Sequence, residues 1–455
     1  MTTLRTALAT CLLLLATTAS ADAAPPWSAP LTLGPPANGA RAVGLGFSAR
    51  GDGLLGWRLG TSSFVGRVDS NGLVGAPTRL PADLAAGPAL ASSPLPSLPN
   101  AGRAIIVMRR LRAPAPAPAG TTAPTDHSRL TWAVVRPDAT LGPVHALVTA
   151  DCQSCQVSLA VNWLGEAIAV WREERGALRA AFRPAGGRFG KPVTVFSGRN
   201  GQYPSFTAAI GSDGRAIVVD AGNVVRARVR TPRRGFGPAM RVGRGNDSVQ
   251  VTTAISNGGR AIVAWGSQDG GEEANEPWIV RAARLARGGR RFTATQTLDP
   301  GAAINRPEGS IALAFTPGGR ATIAWSSVAA ASTFPVMVAA AGTGGRFAAA
   351  QQLAPSGAVG GLAVRADGAA VVSWSSLIGS QQPIQVFGSV RPAGATTFAA
   401  AEAIGVPEVG IGASCVAIDP VSGRAVVAWD SRPKDPTTPQ EVNNATVHVA
   451  ARPAP

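Results

Sequence analysis

The chain has 455 residues, with 42 Lys and Arg against 26 Asp and Glu for a formal net charge of +16, and 15% charged residues in all, below the ~25% usual in soluble domains. Glycine (54) and proline (37) are abundant, aromatic residues reach only 5%, and Tyr203 is the single tyrosine. This balance excludes a coiled coil, a collagen and a polar disordered chain, and favours many short elements separated by turns.

Taken in chain order, residues 1–23 read as a secretory signal peptide. Arg5 precedes an apolar run from Ala7 to Ala19, and Ala19-Ser20-Ala21 and Ala21-Asp22-Ala23 place small residues where a signal peptidase reads. The run is too short to span a ~30 Å hydrocarbon core, and no later stretch approaches ~18 uninterrupted apolar residues. The expectation is a secreted, extracellular protein without a membrane span, with residues 24–455 as one domain.

A repeat then organises the rest of the chain. Gly259-Arg-Ala-Ile-Val-Ala-Trp265 returns as Gly319-Arg-Ala-Thr-Ile-Ala-Trp325 and Gly423-Arg-Ala-Val-Val-Ala-Trp429. Looser copies end at Trp57, Trp171 and Trp374, and two degenerate copies end at Met108 and Asp220. Around each copy lie four short strands with turn chemistry between them, as in Ser310–Pro355, an antiparallel meander. A unit of this kind cannot bury both faces alone, and such units stacked radially form a β-propeller. Eight copies predict an all-β propeller of eight four-stranded blades. Seven is the alternative, because Pro88, Pro94, Pro96 and Pro99 weaken the expected first strand of the second unit.

The fourth strand has its own mark, a large apolar residue followed six positions later by an aliphatic one: Phe189/Val195, Phe236/Val242, Phe292/Leu298, Phe347/Leu353 and Phe398/Ile404. Trp27/Leu33 fits the same mark near the N-terminus, while the last unit stops after a third strand, Thr446–Ala451. Pairing these two segments predicts a closed ring with no exposed sheet edges at the join. The pattern resembles the Gly-Asn-Ala-type blade repeats, ending in an Ala-Val-Trp-like strand, of secreted bacterial β-propeller proteins. Here Arg usually stands where that family often has Asn. The resemblance implies architecture and compartment and says little about activity.

In a meander the 1–2 and 3–4 turns share one face of the disc, and the 2–3 loops and blade connections share the other. The 2–3 loops are long and varied (Arg109–Ser128, Gly266–Pro277, Ser326–Phe334, Ser375–Pro383, Asp430–Asn444), and binding tends to live on such loops. Seven residues in or beside the blade connections are candidate ligand-binding residues at the channel mouth: Asn200, Tyr203, Asp247, Asn305, Arg306, Glu308 and Glu408. On the opposite face Arg103, Arg215, Arg260, Arg320 and Arg424 recur once per repeat. They form either a basic ring for an anionic envelope polymer or long stems laid over strand edges with wet heads. The Trp at the end of each second strand is read as packing between blades.

Cys152 and Cys155 are expected to form a short-loop disulfide in an oxidising compartment, with Cys415 left as a buried free thiol. Asp269, Glu272 and Glu273 share one Gly-rich loop, read as a solvated acidic loop in preference to a calcium site. His127, His145 and His448 have no metal-ligand spacing, so neither a cofactor nor a metal is expected. The expected function is that of a monomeric, non-enzymatic binding scaffold for a glycan, a protein or an anionic cell-envelope polymer, not for nucleic acid. The alternative is a glycan-processing enzyme of the sialidase or lyase kind, in which Tyr203 with Glu308 or Glu408 would act.

Overall fold

The structure is a computed structural model that describes residues 26–69, 71–90, 103–111, 128–148, 156–173, 175–198, 200, 205–245, 250–268, 278–299, 311–327, 333–342, 344–376, 384–408, 414–432 and 444–454. The described residues form strands and turns and no helix. Two short strands, β1 (Leu31–Thr32) and β2 (Ala37–Asn38), precede the first blade. Blade 1 is β3 (Arg41–Phe47), β4 (Gly53–Leu59), β5 (Ser62–Val68) and β6 (Thr78–Arg79). Blade 2 is β7 (Asp83–Leu90), β8 (Ala104–Leu111), β9 (Ser128–Val135) and β10 (His145–Ala146). Blade 3 is β11 (Val157–Val161), β12 (Ala167–Arg172), β13 (Leu178–Arg183) and β14 (Val193–Phe196). Blade 4 is β15 (Ser205–Ile210), β16 (Ala216–Ala221) and β17 (Val224–Thr231), with an outer edge split into β18 (Gly235–Phe236) and β19 (Met240–Arg244).

Blade 5 is β20 (Gln250–Ile255), β21 (Ala261–Gln268), β22 (Trp278–Leu285) and β23 (Gln296–Asp299). Blade 6 is β24 (Ala312–Phe315), β25 (Ala321–Ser326), β26 (Val336–Ala341) and β27 (Gln351–Ala354). Blade 7 is β28 (Ala358–Val364), β29 (Ala370–Ser375), β30 (Ile384–Arg391) and β31 (Glu402–Glu408). Blade 8 has three strands of its own, β32 (Ser414–Ile418), β33 (Ala425–Ser431) and β34 (Asn444–Arg452).

Each blade is an antiparallel sheet in sequence order, and β1 completes the eighth as the outer neighbour of β34. Leu31 pairs with Val449, Thr32 with His448, and β2 adds Ala37 opposite Ala445. The Ser28 N–H also donates to the Ala451 carbonyl at 2.7 Å. The ring therefore closes as its out-of-phase ends predict, and the first strands of successive blades, including β32 and β3, neighbour one another around the channel. The fold is an eight-bladed β-propeller. The doubtful first strand of blade 2 lies earlier than expected, at Asp83–Leu90, with two irregularities in its pairing to β8. The strand retains Pro88, which falls within the irregularity between Ala86 and Ala89, a place where a sheet tolerates proline; Pro94, Pro96 and Pro99 lie outside the described residues.

The second strands are buried along almost their whole length in blades 3 to 6 and 8, because each of their faces meets a neighbouring blade. That is why they read as unbroken apolar runs instead of alternating. Trp57, Trp171, Trp265, Trp325, Trp374 and Trp429 are all buried and each packs on the preceding blade: Trp325, for example, sits with Ile262, Ala264 and Val280. Before each of these strands comes a three-residue turn whose last residue needs a positive φ. Gly259 and Gly319 adopt 73° and 81° there, in the left-handed region that glycine enters without a Cβ penalty.

Candidate functional site

The face that carries the 2–3 loops differs most between blades 3 and 4. Six blades end the second strand on a buried Trp, but blade 4 ends it on Asp220, whose side chain is fully buried. The Arg172 guanidinium of blade 3, one residue past Trp171, reaches it with Nη2 2.5 Å from Oδ1. Arg226, its neighbour on β17, approaches Oδ2 with Nε at 2.9 Å and Nη2 at 2.8 Å. Arg172 also donates to the Gly176 carbonyl at 3.0 Å. The two cations lie beside aromatic faces, Arg172 5.4 Å from the Phe206 centroid and Arg226 4.5 Å from that of Phe196. Among the described residues, two guanidiniums on one carboxylate leave a local excess of one positive charge, and the Nε of Arg172 has no partner.

Asn200 lies in the connection from blade 3 to blade 4 and closes this corner. Its amide donates to the Val224 carbonyl at 2.7 Å and to the Asp220 carbonyl at 3.4 Å, and the Val224 N–H donates back to its Oδ1 at 3.4 Å. A Cβ on Gly222 would meet the Asn200 carbonyl oxygen at 1.5 Å, so glycine is required where the 2–3 turn passes under the connection. Asn200 is a bracket between those two segments, with its amide already engaged.

Glu408 lies across the ring, between blades 7 and 8, four blade steps from Asn200. Its Oε2 is 3.4 Å from Nε2 of His448. His448 shares hydrogen bonds with Thr446 (2.6 Å, Nε2) and with Thr32 of the closing strand (3.2 Å, Nδ1), and its ring stacks on Trp429 with centroids 5.4 Å apart. The structure thus separates these two predicted residues and makes Glu408 part of the closure. Tyr203, Asp247, Asn305, Arg306 and Glu308 lie outside the described residues, as do Cys152, Cys155 and the acidic loop at 269–273.

One residue past Trp429, Asp430 is buried against blade 1, where its Oδ1 accepts from the Ala42 N–H at 3.3 Å. Burial pushes its carboxyl up to about 6, against the smaller opposing pull of that hydrogen bond and of Arg41 and Arg432. Ser326 occupies the same repeat position and accepts from the Val359 N–H at 2.9 Å, so this position ties a blade to the first strand of the next one. Cys415 is a free thiol, half-buried where full burial was expected, and it donates to the Ala428 carbonyl at 3.7 Å. Burial, with the nearby Asp430, pushes it up to about 12. Among the described residues no three His, Cys, Asp or Glu side chains gather as a metal site.

The opposite face carries the arginines that recur once per repeat. Arg260 reaches the Gly319 carbonyl of the next blade at 3.4 Å, Arg424 reaches Asn71 at 3.0 Å, and Arg215 lies 3.4 Å from Asp213. Arg103 and Arg320 are exposed. A second arginine series, which the sequence pattern alone did not single out, ends the third strands. Arg183 donates to the Gly165 carbonyl at 2.8 Å and Arg391 to that of Gly368 at 3.0 Å, and both are buried. Burial lowers the pKa of each. The signal for this series was present as Arg at the end of strands β13, β30 and β34 and one residue before the end of β17.

No family model and no curated protein matches this chain. Among solved structures, it is similar to the BP39L lectin from Burkholderia pseudomallei at 13% identity and a TM-score of 0.53, over 81% of this chain and 99% of the lectin. It also matches a polysaccharide lyase, ulvan lyase, bound to -[GlcA(1-4)Rha3S]-, at 11% identity and a TM-score of 0.45, over 83% of this chain and 95% of that one. A variant of the NanB sialidase from Streptococcus pneumoniae matches at 7% identity and a TM-score of 0.39, over 94% of both chains. At such identities the likeness concerns the fold alone.

Proposed function

We propose that this protein is a secreted, non-enzymatic propeller that binds a glycan, or a protein or other cell-envelope component, through the face that carries the 2–3 loops. The observation that carries this reading is the corner formed by Arg172, Asp220 and Arg226. It lies on that face, and in it a buried ionic group replaces the packing tryptophan used by six other blades. Burying charges without need is costly, so a polar corner kept at one interface of a repeated ring fits a local, non-packing role. The lectin is built on a ring of the same kind, which is compatible with this reading.

The test is a glycan and cell-wall array probed with the exported protein and with Gly222→Ala, whose new Cβ displaces the Asn200 connection. Binding of a defined glycan, weakened in the variant while its melting transition stays cooperative, supports the reading. Absence of binding to every array component, or turnover of any of them, overturns it.

A further inference from the structure

Counted by blade, the positive charge is concentrated. Between Ser205 and Arg244, blade 4 holds eight arginines against two aspartates, a net +6 out of the +16 of the whole chain. Asp213 and Asp220 are already taken by Arg215, Arg172 and Arg226. Arg228, Arg233, Arg234, Arg241 and Arg244 form no ion pair among the described residues, and the last four are exposed. They trace one path: Arg233 and Arg234 sit in the turn after β17, and Arg241 and Arg244 follow along the outer strand β19. Arg241 stands directly opposite Arg226 in the ladder, a like-charge cross-strand pair of the kind that sheets disfavour.

Edge protection does not account for this. Charged side chains do guard sheet edges, yet the outer strands β14, β23, β27 and β31 carry no arginine at all. We infer that the outer edge of blade 4 is a docking strip for an acidic polysaccharide. The eleven residues from Arg234 to Arg244 turn onto and follow an edge that runs opposite the eight residues of β17, roughly 25 Å at ~3.3 Å per residue, long enough to meet several sugar carboxylates in a row. Guanidinium forks match carboxylate geometry in two parallel hydrogen bonds, and a row of them replaces the missing counter-charges. A single-stranded nucleic acid would want free aromatic faces for its bases. Here Arg226 and Arg228 lie over Phe196 and Arg230 over Phe182. This strip lies on the rim of the disc, so it is independent of the loop-face reading, and either can fail alone.

The test measures binding of the intact protein to polygalacturonate and to single-stranded DNA. It compares wild type with R233Q/R234Q/R241Q/R244Q and with R287Q/R290Q/R291Q/R346Q, which removes four exposed arginines from blades 5 and 6. All eight positions are exposed, and matched melting temperatures confirm that both variants fold. The expected result is salt-sensitive binding to polygalacturonate, weakened at least about tenfold in the blade 4 variant and less than about twofold in the other. Equal losses in both variants would mean attraction to net charge alone and would overturn the strip. So would tighter binding to DNA, or no retention of wild type at low salt.

Discussion

At the end of its second strand blade 6 buries Trp325 against blade 5, while blade 4 buries Asp220 against blade 3. The two positions are equivalent in the repeat, and each is held by its own neighbours. Trp325 fills an apolar slot and satisfies its indole N–H on Asp299 at 3.0 Å. Asp220 fills less volume and depends on two arginines brought from different blades. The ring thus tolerates two kinds of joint. The apolar kind is the repeated solution, and the ionic kind occurs where the chain also concentrates its positive charge. Blade 7 makes the contrast plain. Ala358–Glu408 holds two arginines against three acidic residues, a net −1, and keeps Trp374.

Three substitutions and one labelling experiment test this contrast, in descending order of effect. Trp325→Ala should cost about 3–5 kcal/mol, as truncation of a buried Trp leaves a cavity, measured as a shift in urea midpoint at constant slope. Asp220→Ala should cost about 2–4 kcal/mol, since it strands two partly buried guanidiniums. The diagnostic difference is rescue. Adding Arg172→Met and Arg226→Met to Asp220→Ala should restore most of the loss by removing the stranded charges. If the triple variant is no more stable than the single one, the corner is not an ionic joint.

The third substitution concerns blade 8, which buries a carboxylate beside its Trp. The folded-state value of Asp430, about 6, lies above the ordinary carboxylate range, so the folded protein binds this proton more tightly than the unfolded chain does. Its contribution is fully favourable below that ordinary range and is lost as pH rises through about 6. Asp430→Asn keeps an acceptor for the Ala42 N–H and should raise stability at pH 8 by on the order of 2 kcal/mol, with little gain at pH 4. Thermal melts at the two pH values check this, and an equal gain at both would refute it. The smallest effect is expected at Cys415. With its thiol pushed up to about 12, it should resist a thiol-specific reagent at pH 8 in the folded protein and react once the ring is unfolded.

The ring itself was legible because its signals are periodic. A glycine that needs a positive φ, an apolar run and a Trp recur at a fixed offset, and Trp27/Leu33 shows the fourth-strand mark out of phase. The ionic corner was not legible. Asp220 appeared as a degenerate copy of the repeat, but Arg172 lies 48 residues before it and meets it only because blades stack. Nor does the sequence show that Asn200 spends its amide on the Val224 backbone. The arginines look scattered when counted along the chain, and only the blade boundaries gather eight of them onto one wedge. Glu408 stands out in the sequence for its place in a connection, but its partner His448 arrives from the far side of a long 2–3 loop.

The closing strand has a mechanical consequence. Ser28 and Ala451 exchange hydrogen bonds at the same end of an antiparallel pair, the Ser28 N–H to the Ala451 carbonyl and the Ala451 N–H to the Ser28 hydroxyl. A load applied through these two points pulls neighbouring strands apart crosswise, so their bonds break singly and in succession, like a zip. In the sheared geometry of a lengthwise pull they would resist together. Tension would therefore be spent opening blade 8 alone, while the other seven blades, each hydrogen-bonded within its own stretch of chain, would carry none of it until that seam had opened.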